Sequence, residues 1–277
     1  MKAQYENLLM SSMMLYIDHL ICKEGEGYKN FSSKFYPTQK KFNQYHSLSL
    51  PYKQIIADTS VTGANVLQGV TIDGAFKTVG ESGLAGILHH KGTLLFDIDM
   101  SGHDVVGNFA VKDFNVYITT KAEHELLFKT AKQVNPKLAQ TEEGLDPNTE
   151  AYPAIFLKNM GGLNEEFSFG GIDNNITNVR AVVLASSAFN LDAVCSLLKR
   201  SAHKHIKILN NLPFNAIGAY TNVSFDYEAL AAGTAQQSYV KDVRMTKIMP
   251  DQAGMQNLNM DVFAAFVDFE IHSLGTH

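Results

Sequence analysis

The residues best spaced for chemistry lie in the run Asp97-Ile98-Asp99-Met100-Ser101-Gly102-His103-Asp104. Asp-x-Asp-x-Ser-Gly is how a calcium loop begins: oxygens at alternate positions converge on a hard cation, and the glycine allows the sharp turn. The twelfth position of such a loop requires a bidentate Glu, and here it is Asn108. Ile98 and Met100 also alternate as they would on a strand. The sequence therefore reads as a polar strand-to-turn edge, with a cation site built from Asp97, Asp99 and Asp104 as the alternative. His89, His90 and His103 form a second group, but neighbours on a strand point to opposite faces, so His89 and His90 cannot both face one ion. His203 and His205 are two apart, not at the i, i+4 spacing of a helical zinc pair. Gly-x-Ser-x-Gly, Walker and Gly-x-Gly-x-x-Gly motifs are absent, and Glu165, Glu166 and Asp146 have no nameable partner. These residues predict no catalytic group, no metal and no cofactor.

The elements that must hold these residues are mostly strands. The chain is organised around residues 179–209. Val179 to Ala185 is a β-branched apolar run, which predicts a buried strand. Asn190 follows as a candidate N-cap, because its side-chain oxygen can accept an unpaired first-turn N–H. Leu191, Val194, Leu198, Ala202, Ile206 and Leu209 recur at steps of three and four, which predicts one long helix near 190–209. Cys195 falls on its apolar side and reads as a buried thiol. Cys22 is far away in another apolar setting. Two free buried thiols fit better than one disulfide, as suits assembly in a reducing compartment.

At the N-terminus, Tyr5 to Ile21 predicts an amphipathic helix with Tyr5, Leu8, Leu9, Met13, Tyr16, Ile17 and Leu20 on one face. That face has two readings: packing on the chain's own body, or docking on a neighbouring subunit. Leu8 to Cys22 is the most apolar stretch here, but it is polar at Ser11, Ser12, Asp18 and His19 and too short for a membrane span. Tyr28 to Tyr52 mixes aromatics with lysines and shows no clean period, which predicts an irregular segment, either a packed loop or a subunit-contact arm. Tyr5, Leu9, Met13, Tyr16, Phe31, Phe35 and Tyr36 are accordingly the candidate interface residues.

Strand signals dominate the rest. Asp73-Gly74 joins Val66–Ile72 to Ala75–Val79, and Lys91-Gly92 joins Leu84–His90 to Thr93–Ile98, two predicted hairpins. In Asn108 to Thr120 the apolar parity switches between Val111 and Phe114, which predicts a β-bulge near Lys112-Asp113. Glu123 to Val134 fits a short helix or a strand. Residues 136–153 are a loop and a candidate internal boundary. Phe167 to Gly171 sits in a looped, hairpin-like stretch, and Phe214 to Gly233 is irregular. Tyr239–Met249 and Asp261–Ser273 are the closing strands. The expected fold is α+β, mainly β: an antiparallel β-sandwich or barrel with an N-terminal helix and one long helix near 190–209. It forms a single domain over 1–277 with a helical arm over 1–24.

The composition is that of a folded protein: 45% hydrophobic and 18% charged over 277 residues. A net charge of -5 argues against a dedicated nucleic-acid binder, because such affinity rests on neutralising phosphates with Lys and Arg.

Several stretches together resemble a known group: Pro51-Tyr52-Lys53-Gln54, Asp58 to Val66, the Gly-turn hairpin around Leu94-Leu95-Phe96, Lys112 to Tyr117, Phe156-Leu157-Lys158-Asn159, Phe167 to Gly171, Phe189 to Val194 and Phe266-Val267-Asp268-Phe269. In this order, after an N-terminal helix, they resemble virion structural proteins of tailed phages. The likeness is to marine and cyanobacterial phages with contractile tails, and to components of the neck or head–tail connector. The resemblance implies a homo-oligomeric ring on the tail axis, bound to other neck, portal or tail proteins, with genomic DNA passing through without sequence-specific binding. It implies assembly in the host cytoplasm, residence in the virion, no membrane and no enzyme. The alternatives are a tail tube, tail terminator or collar decoration protein, a glycan-binding module suggested by the aromatics of Tyr28 to Tyr52, and a metal-dependent enzyme using Asp97, Asp99 and Asp104.

Overall fold

A computed structural model describes residues 4–38, 43–132, 152–166, 173–213, 224–248 and 263–275. Hydrophobic side chains gather there in two large cores. The chain opens with helix α1 (Tyr5–Lys23) and then builds eight strands: β1 (Tyr28–Lys34), β2 (Tyr36–Pro37), β3 (His46–Ser49), β4 (Gly69–Ile72), β5 (Ala75–Thr78), β6 (Leu84–Leu88), β7 (Thr93–Phe96) and β8 (Val105–Lys112). These form two four-stranded antiparallel sheets, in the orders β1-β8-β4-β5 and β2-β3-β7-β6. Leu48, Leu94 and Phe96 of one sheet meet Val70, Val105 and Phe109 of the other in a β-sandwich core. The 28–52 segment is thus more regular than its sequence predicts: β1 pairs with β8 along its whole length. Asp73 and Gly74, at φ 48° and 86°, make the two-residue turn that joins β4 to β5.

The expected bulge at Lys112-Asp113 is instead the end of the sandwich. Phe109 and Val111 point into the sandwich core, whereas Phe114 and Val116 belong to the second core. The parity switches because the chain changes sheets there. Asp113 N–H donates to Gly27 O at 2.8 Å, so entry and exit lie side by side.

The second half supplies β9 (Asn115–Ile118), α2 (Glu123–Lys132), β10 (Ala154–Glu166), β11 (Asp173–Ala185), α3 (Ala188–Lys199), β12 (His205–Lys207), α4 (Tyr227–Ala232), β13 (Gln237–Ile248) and β14 (Phe263–Gly275). Six strands order as β12-β13-β14-β11-β10-β9, antiparallel except for β9 against β10. Along β11 the alternation is clean: Val179, Ala181, Val183 and Ala185 face the second core, and Val182 and Leu184 face a smaller cluster with Leu126 and Leu127 of α2. The sheet curls around α1, which touches both border strands, β9 and β12. The fold is α+β and mainly β, as the patterning predicts.

Two helix expectations need correction. α1, at 19 residues, is the long helix, and it is buried on nearly every side. α3 stops at Lys199 and is capped by Ser187, whose Oγ accepts Asn190 N–H at 3.1 Å. His203, at φ 63°, turns the chain, and 205–207 form an edge strand on β13. Ile206 and Leu209 are fully buried, but Leu209 lies beyond the strand, and the i and i+3 positions of a strand face opposite ways, so a three-residue step between buried residues is not by itself a helix. Residues 133–151, most of the candidate boundary, lie outside the described residues, as do Phe167–Gly171 and 214–223. Among the described residues no helix is long and apolar enough to cross a membrane.

Candidate functional site

The groups best spaced for chemistry do not converge. Asp99 is exposed and accepts the backbone N–H and the Oγ of Ser101, at 2.9 and 2.6 Å, closing its own turn. Asp104 pairs instead with Lys34 at 2.8 Å. His103 faces Asp73 at 2.6 Å, on the surface. His89 is buried with Nε2 on Leu67 O at 2.9 Å; desolvation pushes its pKa down to about 4 and keeps it neutral. His203 and His205 both lie against Tyr239 on the β12 edge. Among the described residues no three His, Cys, Asp or Glu side chains gather as metal ligands do. Both cysteines are free and buried. Burial raises the Cys22 thiol pKa and pushes that of Cys195 up to about 11, so neither forms a thiolate near neutral pH.

One constellation escaped the sequence reading. His19 of α1, Asp58 and Ser60 come together where α1 and α4 meet the 55–62 segment. Asp58 Oδ2 is 2.7 Å from His19 Nδ1, and Ser60 Oγ donates to Asp58 Oδ1 at 2.6 Å. Asp58 Oδ1 also accepts the backbone N–H groups of Ser60 and Tyr227, each at 3.0 Å. The His19 ring stacks on Tyr227 with centroids 4.5 Å apart. The residue types are those of a nucleophilic triad, but the geometry is not. A triad needs serine and aspartate on opposite imidazole nitrogens. Here Ser60 Oγ, at 3.4 Å, and Asp58 both address Nδ1. The cluster is a clasp between segments far apart in sequence.

Most of the candidate interface residues are committed to the chain's own packing. Leu9 and Met13 are fully buried in the second core and Phe35 in the sandwich core. Tyr5 donates to Ser273 Oγ at 2.6 Å and Tyr16 to Ser201 Oγ at 3.2 Å. Phe31 stacks on Tyr52 against the sandwich core. Tyr36, on border strand β2, is 58% exposed. The apolar face of the N-terminal helix is therefore buried in the chain's own core.

Another exposed surface among the described residues belongs to the six-stranded sheet. On the face away from α1, Arg180 grips Asp268 through two bonds of 2.6 and 3.0 Å. Arg244 meets Asp242 and Lys241 meets Glu270, each at 2.7 Å, and Lys158 reaches Glu123 at 3.5 Å. Each of these four cations is met by a carboxylate. The sheet's borders are unequal. β9 covers β10 only over Ala154–Leu157, and β12 covers β13 only over Gln237–Tyr239. Beyond these, residues 158–166 of β10 and 242–248 of β13 have no strand beside their outer edge among the described residues. Met160 and Leu163 on the first stretch and Met245 on the second are substantially exposed.

Comparison of the chain with known protein families and with characterised proteins finds no family and no relative that matches it.

Proposed function

We propose that this protein is a structural subunit of a tailed-phage virion, a ring component of the neck or head–tail connector type through which genomic DNA passes. The observation that carries the proposal is the pair of half-covered borders of the six-stranded sheet. Unpaired strand edges are templates for another chain. The free stretch of β10 and that of β13 are different surfaces on opposite borders, so a contact between them is heterologous, head to tail, and closes into a ring when the rotation allows. The pairing of those cations adds support, because a surface whose cations are already met by carboxylates gives phosphates little to release counterions against, and DNA slides over it. The placement at the neck follows from the resemblance to phage virion proteins.

The test uses the full chain. Size-exclusion chromatography with light scattering, followed by negative-stain imaging, is expected to show closed rings. Leu163→Lys with Met160→Lys, on the exposed β10 edge, is expected to give folded monomers with unchanged circular dichroism, since edge lysines block strand addition. A wild-type chain that stays monomeric at every concentration and is absent from purified virions overturns the proposal. On virions, gold-labelled antibody at the collar supports the neck placement, and label along the whole tail assigns the chain to the tail tube.

A further inference from the structure

A second surface, on the sandwich, carries a different inference. A groove of about 400 Å³ runs between the 59–68 segment and the outer face of β4, β5 and β8. That volume falls in the range of small-ligand sites. Among the described residues no charged side chain lines it. Three amide side chains converge there, Asn65, Gln68 and Asn108, all exposed and none hydrogen-bonded among the described residues. Thr71 adds a hydroxyl. Beside them lies the ring of Phe76, 62% exposed. This ring is held as a platform: it packs across the strand pair onto Gly69, where an added Cβ would meet Phe76 Cζ at 2.7 Å and Lys77 O at 2.4 Å. The facing wall is fixed too. Asn30 Nδ2 donates to Gly63 O and Asn30 Oδ1 accepts Asn65 N–H, both at 2.9 Å.

We propose that this groove binds one or two neutral pyranose rings of a glycan. The chemistry selects that class. An amide offers donor and acceptor side by side, which matches vicinal hydroxyls, and an aromatic face takes the axial C–H side of a sugar. A phosphate or acidic ligand would need a cation or a helix N-terminus, and the lining holds neither. An acyl chain would leave the amides buried and unpaired, at a cost. A polypeptide strand would pair with the outer edge of β5 and leave this face untouched. The inference is independent of ring formation, because the groove lies on the other core.

The test is a saturation-transfer NMR titration of the full chain with maltotriose, cellotriose, mannotriose and chitotriose. At least one is expected to bind with a dissociation constant on the order of 1 mM or tighter. Phe76→Ala is expected to weaken it roughly three- to tenfold, and Asn108→Ala to weaken it as well, with circular dichroism and melting temperature retained. If Phe76→Ala fails to fold, Gln68→Ala replaces it. The proposal is overturned if none of the four sugars binds, if binding ignores the groove variants, or if only peptides compete for the site.

Discussion

Asp58 shows how a single carboxylate can tie distant segments of a fold together. It is 3% exposed, and burial pushes its pKa up. Hydrogen bonds from His19, from Ser60 and from the backbone N–H groups of Tyr227 and Ser60 overcome that push and hold it below the usual aspartate range. The sign of the linkage follows. A depressed folded pKa contributes stability that is fully present above the unfolded value of about 3.9 and is lost as pH falls through the lower folded value. Asp58→Asn should therefore cost about 1–3 kcal/mol near neutral pH. The gap between variant and wild type should narrow as pH is lowered from about 5 to 2, as read by urea denaturation across that range. A gap independent of pH would show that the carboxylate charge is not what the clasp uses. None of this was visible in the sequence. His19 and Asp58 stand 39 positions apart, Tyr227 lies 169 beyond Asp58, and only tertiary structure joins them.

At the scale of elements, local chemistry was readable wherever one residue type answers one geometric demand. Asp73-Gly74 announced its hairpin because a two-residue turn needs positive φ. The β-branched run 179–185 announced a strand covered on both faces. The parity switch at 112–113 was also real in the sequence, but parity cannot distinguish a bulge from a passage into another sheet. Helix α3 was misplaced at both ends for a related reason. Ser187 and Asn190 are both good caps, and position alone does not choose between them. The structure chooses Ser187. Ser187→Ala should cost about 1 kcal/mol, whereas Asn190→Ala, inside the first turn, should change stability by only a few tenths. Thermal unfolding of the two variants measures the difference, and equal losses would return the cap to Asn190. The N-terminal helix carries the opposite lesson. One apolar stripe predicted one packed face, yet Met10, Met14 and Leu15 are buried as well, because a curled sheet closes around a helix from several directions.

For the whole molecule, the decisive region is the seam between sandwich and curled sheet. Cys22 of α1 packs there with Ile56, Val61 and Ala110. Phe225 exchanges backbone hydrogen bonds with Ala57 and Thr59, at 2.9 and 2.7 Å. At the tip of β8, Lys112 Nζ reaches both carboxylate oxygens of Asp18 on α1, at 2.8 and 2.6 Å, with each side chain only 8% exposed. A pair so deep contributes modestly relative to an apolar replacement, but removing one partner strands a buried charge. Lys112→Met should thus destabilise by about 3–5 kcal/mol, and Asp18→Asn on the same chain should restore much of the loss. Calorimetry adds a reading that stability alone does not. With the seam intact, the two cores should melt in one transition. With Lys112→Met they should separate into two, because α1 belongs to the curled sheet and β8 to the sandwich. A variant within about 1 kcal/mol of wild type, melting as one unit, would show that the pair behaves as an exposed one does and that apolar packing alone joins the cores. For a ring subunit the distinction is mechanical. In the ring proposed above, load entering through the β10 and β13 edges would reach the sandwich across this seam, so its strength would decide whether the two cores move as one body.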